Sequence, residues 1–292
     1  MAHVYATLHR VYAVPGEVRR RPLLYLGTPL LVAVVGTILA AVSPRAFWRA
    51  MAYLALHHFT KQQLGFVALY RAAAGETAGR RLDTAAVAVS TLVPVLHWHV
   101  EGRQFAWFMK GDFIGGLPSA LLPAAWLVYA SVLAAFVYRE LRHALGGGPL
   151  RLGKLAVVVT TALTWGVGIV ALDGDFAFTV TNVVIHGVAY TALTWHVTRG
   201  AREAGPWRGL APFLGLPLLL AWLEELSWDG LVWHEHAALF LGLSAGWPAL
   251  SYAPVVALLS VPQVTHYILD GFIWRLDGQN PGLREALFPR AL

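Results

Sequence analysis

The feature that most constrains this chain is a series of long apolar runs. Stretches near 23–42, 47–70, 84–101, 114–138, 154–172, 176–198, 209–226 and 249–274 carry few charges. Each has roughly the length at which a helix, rising about 1.5 Å per residue, crosses a ~30 Å hydrocarbon layer. Lipid offers no partner to a bare backbone N–H or C=O, so a spanning segment must satisfy its own hydrogen bonds, as a helix does. The short alternating segments of a β-barrel do not occur. The expected fold is therefore all-α: a polytopic transmembrane helix bundle of about eight spans, forming one integral membrane domain over 1–292. Charged residues make up 13% of the chain, against about 25% in soluble domains.

The placement of charge gives an orientation. Of 22 Lys and Arg residues, seventeen fall in the N-terminus, the alternate loops 71–83, 139–154 and 199–208, and the C-terminus. The other loops hold only Arg45, Arg49, Arg103 and Lys110, and Lys61 lies within a span. Basic loops stay cytoplasmic, so both termini are expected on that side, in the inner membrane of a bacterium. The net charge of +6 then reflects topology, and no nucleic-acid partner is expected. Residues 1–22 read as a cytoplasmic or interfacial segment, with Val4, Tyr5, Leu8 and Val11 or Tyr12 at the spacing of a short interfacial helix. Arg19, Arg20 and Arg21 before the first span fit an uncleaved signal anchor. Residues 224–247 read as an outer interfacial loop, acidic (Glu224, Glu225, Asp229, Glu235) and rich in tryptophan (Trp228, Trp233, Trp247). Pro94, Pro118, Pro123, Pro217, Pro254 and Pro262 fall in or near spans and predict kinks.

The chain has no cysteine, which excludes disulfides, thiolate metal sites and cysteine nucleophiles. Any metal must be held by nitrogen or oxygen. Twelve histidines are present. His3, His9 and His143 lie outside the spans and are set aside. The second span carries His57, His58, Lys61, Gln62 and Gln63; the sixth carries Asn182, His186 and Tyr190 at i, i+4 and i+8; the eighth carries Gln263, His266 and Asp270, with Trp274 on the same stripe. Residues four apart share a helix face. Ionisable groups at membrane depth cost roughly 2.5–3.5 kcal/mol each on insertion scales, so these groups are expected to meet one another. Imidazoles converging from three helices suit a metal site, with His57, His58, His186 and His266 as ligands and Asp270 as ligand or as the orienting partner of His266. Asp270, Lys61 and Tyr190 are the candidate catalytic residues. A second candidate metal set is His97, His99, His234 and His236 on the outer side. For the intramembrane set the plainer alternative is a hydrogen-bond network that fixes helix packing without a metal; for the outer set it is a solvated acidic loop whose histidines are satisfied.

Several motifs are missing. The chain has no desaturase-type histidine boxes, no His-Glu-x-x-His, no Gly-x-Ser-x-Gly and no P-loop. His186 and His196 are too closely spaced for a bis-histidine haem helix. The runs His58-x-x-Lys61-Gln62-x-x-Gly65 and His266-Tyr267-x-x-Asp270-Gly271-x-Ile273-Trp274 resemble those of multi-pass bacterial membrane proteins of uncharacterised activity. At the level of architecture, a histidine-rich bundle of this size resembles the Brp/Blh type of carotene-cleaving dioxygenase. That likeness implies a histidine-ligated non-haem iron.

The expectation is a membrane-embedded metalloenzyme, with non-haem iron (or zinc or copper), that acts oxidatively on a lipid-soluble substrate such as an isoprenoid, carotenoid or acyl chain. Its partner would be a membrane lipid or lipid-soluble small molecule. Two alternatives stay open: a proton- or ion-coupled transporter using the intramembrane His/Lys/Asp groups, and a non-catalytic membrane scaffold or lipid-binding subunit.

Overall fold

A computed structural model describes residues 1–103, 105–199 and 209–288. Among these there is no strand. Besides single turns at Glu17–Arg20 and Ala237–Phe240, the helices are α1 (Ala2–Arg10), α2 (Leu23–Val42), α3 (Pro44–Ala73), α4 (Arg80–Glu101), α5 (Leu121–Leu145), α6 (Leu152–Ala171), α7 (Asp175–Arg199), α8 (Leu210–Trp233), α9 (Tyr252–Ile273) and α10 (Leu283–Leu287). Six of them, α2 and α5 to α9, are long and apolar enough to cross a membrane. Helices α3 and α4 are long enough, at 30 and 22 residues, but more polar. The span expected from 114 begins at Leu121, and the one expected to end at 226 runs on to Trp233. That extension puts Glu224, Glu225 and Asp229 on a helix rather than in a loop. Residues 200–208 of the expected 199–208 loop lie outside the described residues.

The chain divides into two compact units, residues 1–51 with 187–292, and residues 52–186. In the first, α2 packs along α9. Val32, Gly36 and Ala40 recur every fourth residue and face α9, where Val256, Ala257 and Ser260 are buried. A Cβ on Gly36 would lie 3.2 Å from the Ala257 Cβ, so the small residue sets how closely the backbones approach. The rest of α2 (Leu30, Leu31, Val34, Val35, Ile38) is exposed, as a lipid-facing surface requires and a watery one would penalise. Helix α2 ends where Ser43 turns extended, the conformation that Pro44 imposes on the residue before it. Helix α1 packs against α8 and α9 and buries His3, Val4, Ala6, Thr7 and Arg10. The Arg10 Nη2 donates to the Ile273 carbonyl at 3.1 Å, a cation at the C-terminal end of α9 where the helix dipole favours it.

In the second unit, α4 packs on α5 and α6 around Val67, Ala86, Val87, Phe136 and Val158. At one end of this core lies an ionic network. Lys154, 1% exposed, reaches Glu76 at 2.7 Å and Glu140 at 3.0 Å. Arg71 and Arg139 both pair with Asp83, and Arg151 with Glu76. Arg71, Arg139, Arg151 and Lys154 of the 71–83 and 139–154 loops are therefore bound to one another through three acids, Glu76, Asp83 and Glu140.

Of the six prolines expected to kink spans, Pro94, Pro217 and Pro262 lie inside helices. Pro118 precedes α5, and Pro123 and Pro254 stand in first turns, where a missing N–H breaks no bond. Irregularity comes instead from π-helical turns at Leu23–Gly27, Gly166–Ala171, Thr179–Val184 and Asp229–Trp233. Such turns often lie at functional sites, and Thr179–Val184 ends two residues before His186.

Candidate metal centre

In the first unit, α9 carries His266 and Asp270 one turn apart, with His266 buried. Helix α7 brings Tyr190 edge-on to the His266 ring, with centroids 4.6 Å apart. Thr7 of α1 stands between them, its Oγ1 2.9 Å from the Tyr190 hydroxyl and 2.9 Å from His266 Nδ1. The Tyr190 hydroxyl donates to Asp270 Oδ1 at 3.0 Å, and the Trp274 indole N–H donates to the same oxygen at 3.3 Å.

Each hydroxyl has one proton to give, which fixes the direction of the chain. Tyr190 gives its proton to Asp270, so Thr7 donates to Tyr190 and must accept from His266. His266 is therefore protonated on Nδ1, with its lone pair on Nε2. Imidazoles that bind metal are commonly held in this tautomer, with the other ring nitrogen donating to a polar partner.

His3 completes this group. Its ring meets His266 in a T-shaped contact, centroids 5.2 Å apart, and a ring nitrogen of each lies within 4.8 Å of the other. Two metal–nitrogen bonds of about 2.1 Å span up to about 4.2 Å, so a small adjustment would let one ion bridge them. His3 reaches this place because residue 187 is glycine: a Cβ there would lie 2.9 Å from His3 Nδ1.

In the second unit, α3 carries His58 and, one turn later, Gln62. His58 is buried, and its ring meets His186 with centroids 4.9 Å apart. The Gln62 side-chain N–H donates to the His186 carbonyl at 3.2 Å, leaving its Oε1 2.8 Å from His186 Nδ1 as an acceptor. His186 is thus also protonated on Nδ1, with its lone pair on Nε2. His57 and Lys61, one turn apart on another face of α3, are both exposed.

The outer histidines are arranged differently. His99 engages both ring nitrogens, Nε2 with the Tyr53 hydroxyl and Nδ1 with the Val95 carbonyl, each at 2.6 Å. His97 is half-buried, and His234 and His236 are exposed. Asp229 accepts from the backbone N–H of Glu235 at 3.0 Å, that of His236 at 2.7 Å, and the Ser244 hydroxyl. It fixes the turn that follows α8. Among the described residues, no grouping with ligand geometry includes His97, His99, His234 or His236.

The chain matches no known family model, no curated protein and no solved structure. The functional reading rests on this geometry.

Sequence reasoning missed His3 and Thr7, and it gave Gln62 no role at the site. For α1 a signal exists. His3, Thr7 and Arg10, at i, i+4 and i+7, form a polar stripe beside the apolar positions that suggested an interfacial helix.

Proposed function

We propose that this chain is a membrane-embedded metalloenzyme that holds a non-haem iron through imidazole and oxidises a lipid-soluble substrate of isoprenoid, carotenoid or acyl type. In this reading the helices make eight spans in a bacterial inner membrane with both termini cytoplasmic. One observation carries the proposal. His186 and His266, deep among apolar helices, are each turned by a hydrogen bond at Nδ1 so that Nε2 bears the lone pair. Donation from Nδ1 puts the imidazole lone pair on Nε2, the state that a metal ligand requires. Each unit offers its own candidate ligand pair: His3 with His266 in the first, and His58 with His186 in the second. With no thiolate in the chain, the donor set suits iron, zinc or copper.

Bound iron would supply electrons for reducing dioxygen. The chain's own groups do the rest. Thr7 and Gln62 orient imidazoles, the Thr7–Tyr190–Asp270 chain holds protons beside the site, and the surrounding apolar helices exclude water. Lys61, exposed on another face of α3, has no part in it. The same hydroxyl chain would suit a proton-coupled transporter, the second reading.

Elemental analysis of the detergent-purified protein separates the two. Near-stoichiometric iron that falls on His266→Ala and on His186→Ala is the expected result. Protein that stays metal-free after incubation with ferrous iron under anaerobic conditions overturns the metalloenzyme and leaves the transporter.

A further inference from the structure

The loop between α4 and α5 contains a second site unrelated to the histidines. A cavity of about 370 Å³ opens there, lined among others by Trp98, Arg103, Phe105, Lys110, Phe113 and Ile114. This falls in the range of small-ligand pockets. The Arg103 side chain is 7% exposed and is held in an aromatic cage, its guanidinium carbon 4.3 Å from the Phe113 ring centre, 5.0 Å from Phe105 and 5.1 Å from Trp98.

The loop is built to hold this arginine. Asp112 pairs with Arg103 Nη2 and accepts the backbone N–H groups of Trp107 at 3.0 Å and Phe108 at 2.9 Å. Asp173 accepts the Trp98 indole N–H at 2.9 Å. Both nearby carboxylates are thus engaged by the protein. Arg103 Nη1 is buried and has no hydrogen-bond partner among the described residues. A buried guanidinium N–H left unmade costs more than a neutral one, so the site is one acceptor short. Lys110, on the same wall, is exposed and adds a second positive charge.

The place of the loop limits the source of that acceptor. It runs directly into α5, one of the six membrane-crossing helices, and so lies at the level where apolar chains give way to headgroups. Ile114 and Leu117 are exposed beside the cavity, at 50% and 38%. We propose that this pocket binds an acidic amphiphile, whose phosphate or carboxylate accepts from Arg103 Nη1 and pairs with Lys110 while its apolar part lies on Phe113 and Ile114. Arginine over aromatic rings suits a planar, partly desolvated anion contact. The proposal does not depend on the metal reading.

The test is native mass spectrometry of the full chain with dioctanoyl phosphatidylglycerol, dioctanoyl phosphatidylcholine or glycerol 3-phosphate. The wild type should retain one phosphatidylglycerol at concentrations where phosphatidylcholine leaves none, and glycerol 3-phosphate should not displace it. Lys110→Ala, a surface change, should weaken binding about fivefold. Arg103→Gln combined with Asp112→Asn, which keeps a neutral hydrogen-bonded pair, should abolish it. Equal retention of the two lipids, or wild-type binding by Lys110→Ala, overturns the proposal even if the double variant fails to fold. Displacement by glycerol 3-phosphate at equal concentration overturns the amphiphile and makes the ligand a soluble anion.

Discussion

Replacing Tyr190 by Phe removes one oxygen from the hydroxyl chain and keeps the ring that packs on His266. That oxygen accepts from Thr7 at 2.9 Å and donates to the Asp270 carboxylate at 3.0 Å. A hydrogen bond between uncharged groups contributes about 0.5–1.5 kcal/mol, so the loss of two is expected to cost about 1–3 kcal/mol of stability. Asp270 would still accept the longer bond from Trp274. The effect on a metal follows from proton direction. Without Tyr190 to receive it, the Thr7 proton turns to His266 Nδ1 and forces the imidazole proton onto Nε2, the ligand atom. Loss of such an orienting partner lowers metal affinity about 10–100-fold, or roughly 1.4–2.7 kcal/mol. Competition with a chromophoric chelator reads the affinity, and thermal unfolding in detergent reads the stability. Thr7→Ser, which retains the hydroxyl, should behave as wild type, whereas Thr7→Val should match Tyr190→Phe. If Tyr190→Phe lowers the unfolding midpoint but binds iron as tightly as wild type, the hydroxyl chain does not set the tautomer and this reasoning is wrong.

Three further outcomes are expected. Lys154→Met leaves the Glu76 carboxylate without its nearest cation and takes a second cation from Glu140, and should destabilise by about 3–5 kcal/mol, the usual cost of breaking a buried pair; an unchanged melting temperature would show that the network is not structural. Burial pushes the Glu17 carboxyl up, but hydrogen bonds from Arg20 and Tyr25 and the charges of Arg20 and Arg10 outweigh it and hold it below its ordinary 4.5. Its contribution to stability is then full above pH 4.5 and lost as pH falls through the lowered value, so Glu17→Gln should flatten the acid limb of a stability profile, and an identical limb in both proteins would contradict this. Reporters inserted at Gly147 and at Gly242 should lie on opposite sides of the membrane, given the distribution of basic residues; the same side for both would refute the eight-span topology.

Apolar run length made the membrane helices legible, because a span needs only hydrophobicity and length. The stripe of His186 and Tyr190 and the pair His266 and Asp270 were legible for a similar local reason: a spacing of four places them on one face. His57 and His58 could not be told apart, since adjacent residues point about 100° from each other and the inward face depends on neighbours; Gln62, one turn beyond His58, marks it only once His186 is known to be there. His3 and Thr7 were hidden because their partners lie more than 180 residues away. The acidic residues after 223 suggested a loop because carboxylates are costly in lipid. The helix continues there because Glu224 takes the Trp228 indole N–H and Asp229 takes backbone N–H groups of the following turn.

The contacts of α1 also bear on biosynthesis. Thr7 bonds His266 across 259 positions and Arg10 bonds the Ile273 carbonyl across 263, so α1 joins partners that are made long after it. Synthesis proceeds at about 5–20 residues per second, and during that interval α1 has to wait, its apolar side kept from wrong neighbours at the bilayer surface. Assembly of the His3, Thr7 and His266 group therefore waits for α9, and a nascent chain stalled before residue 252 would lack the histidine that anchors the group.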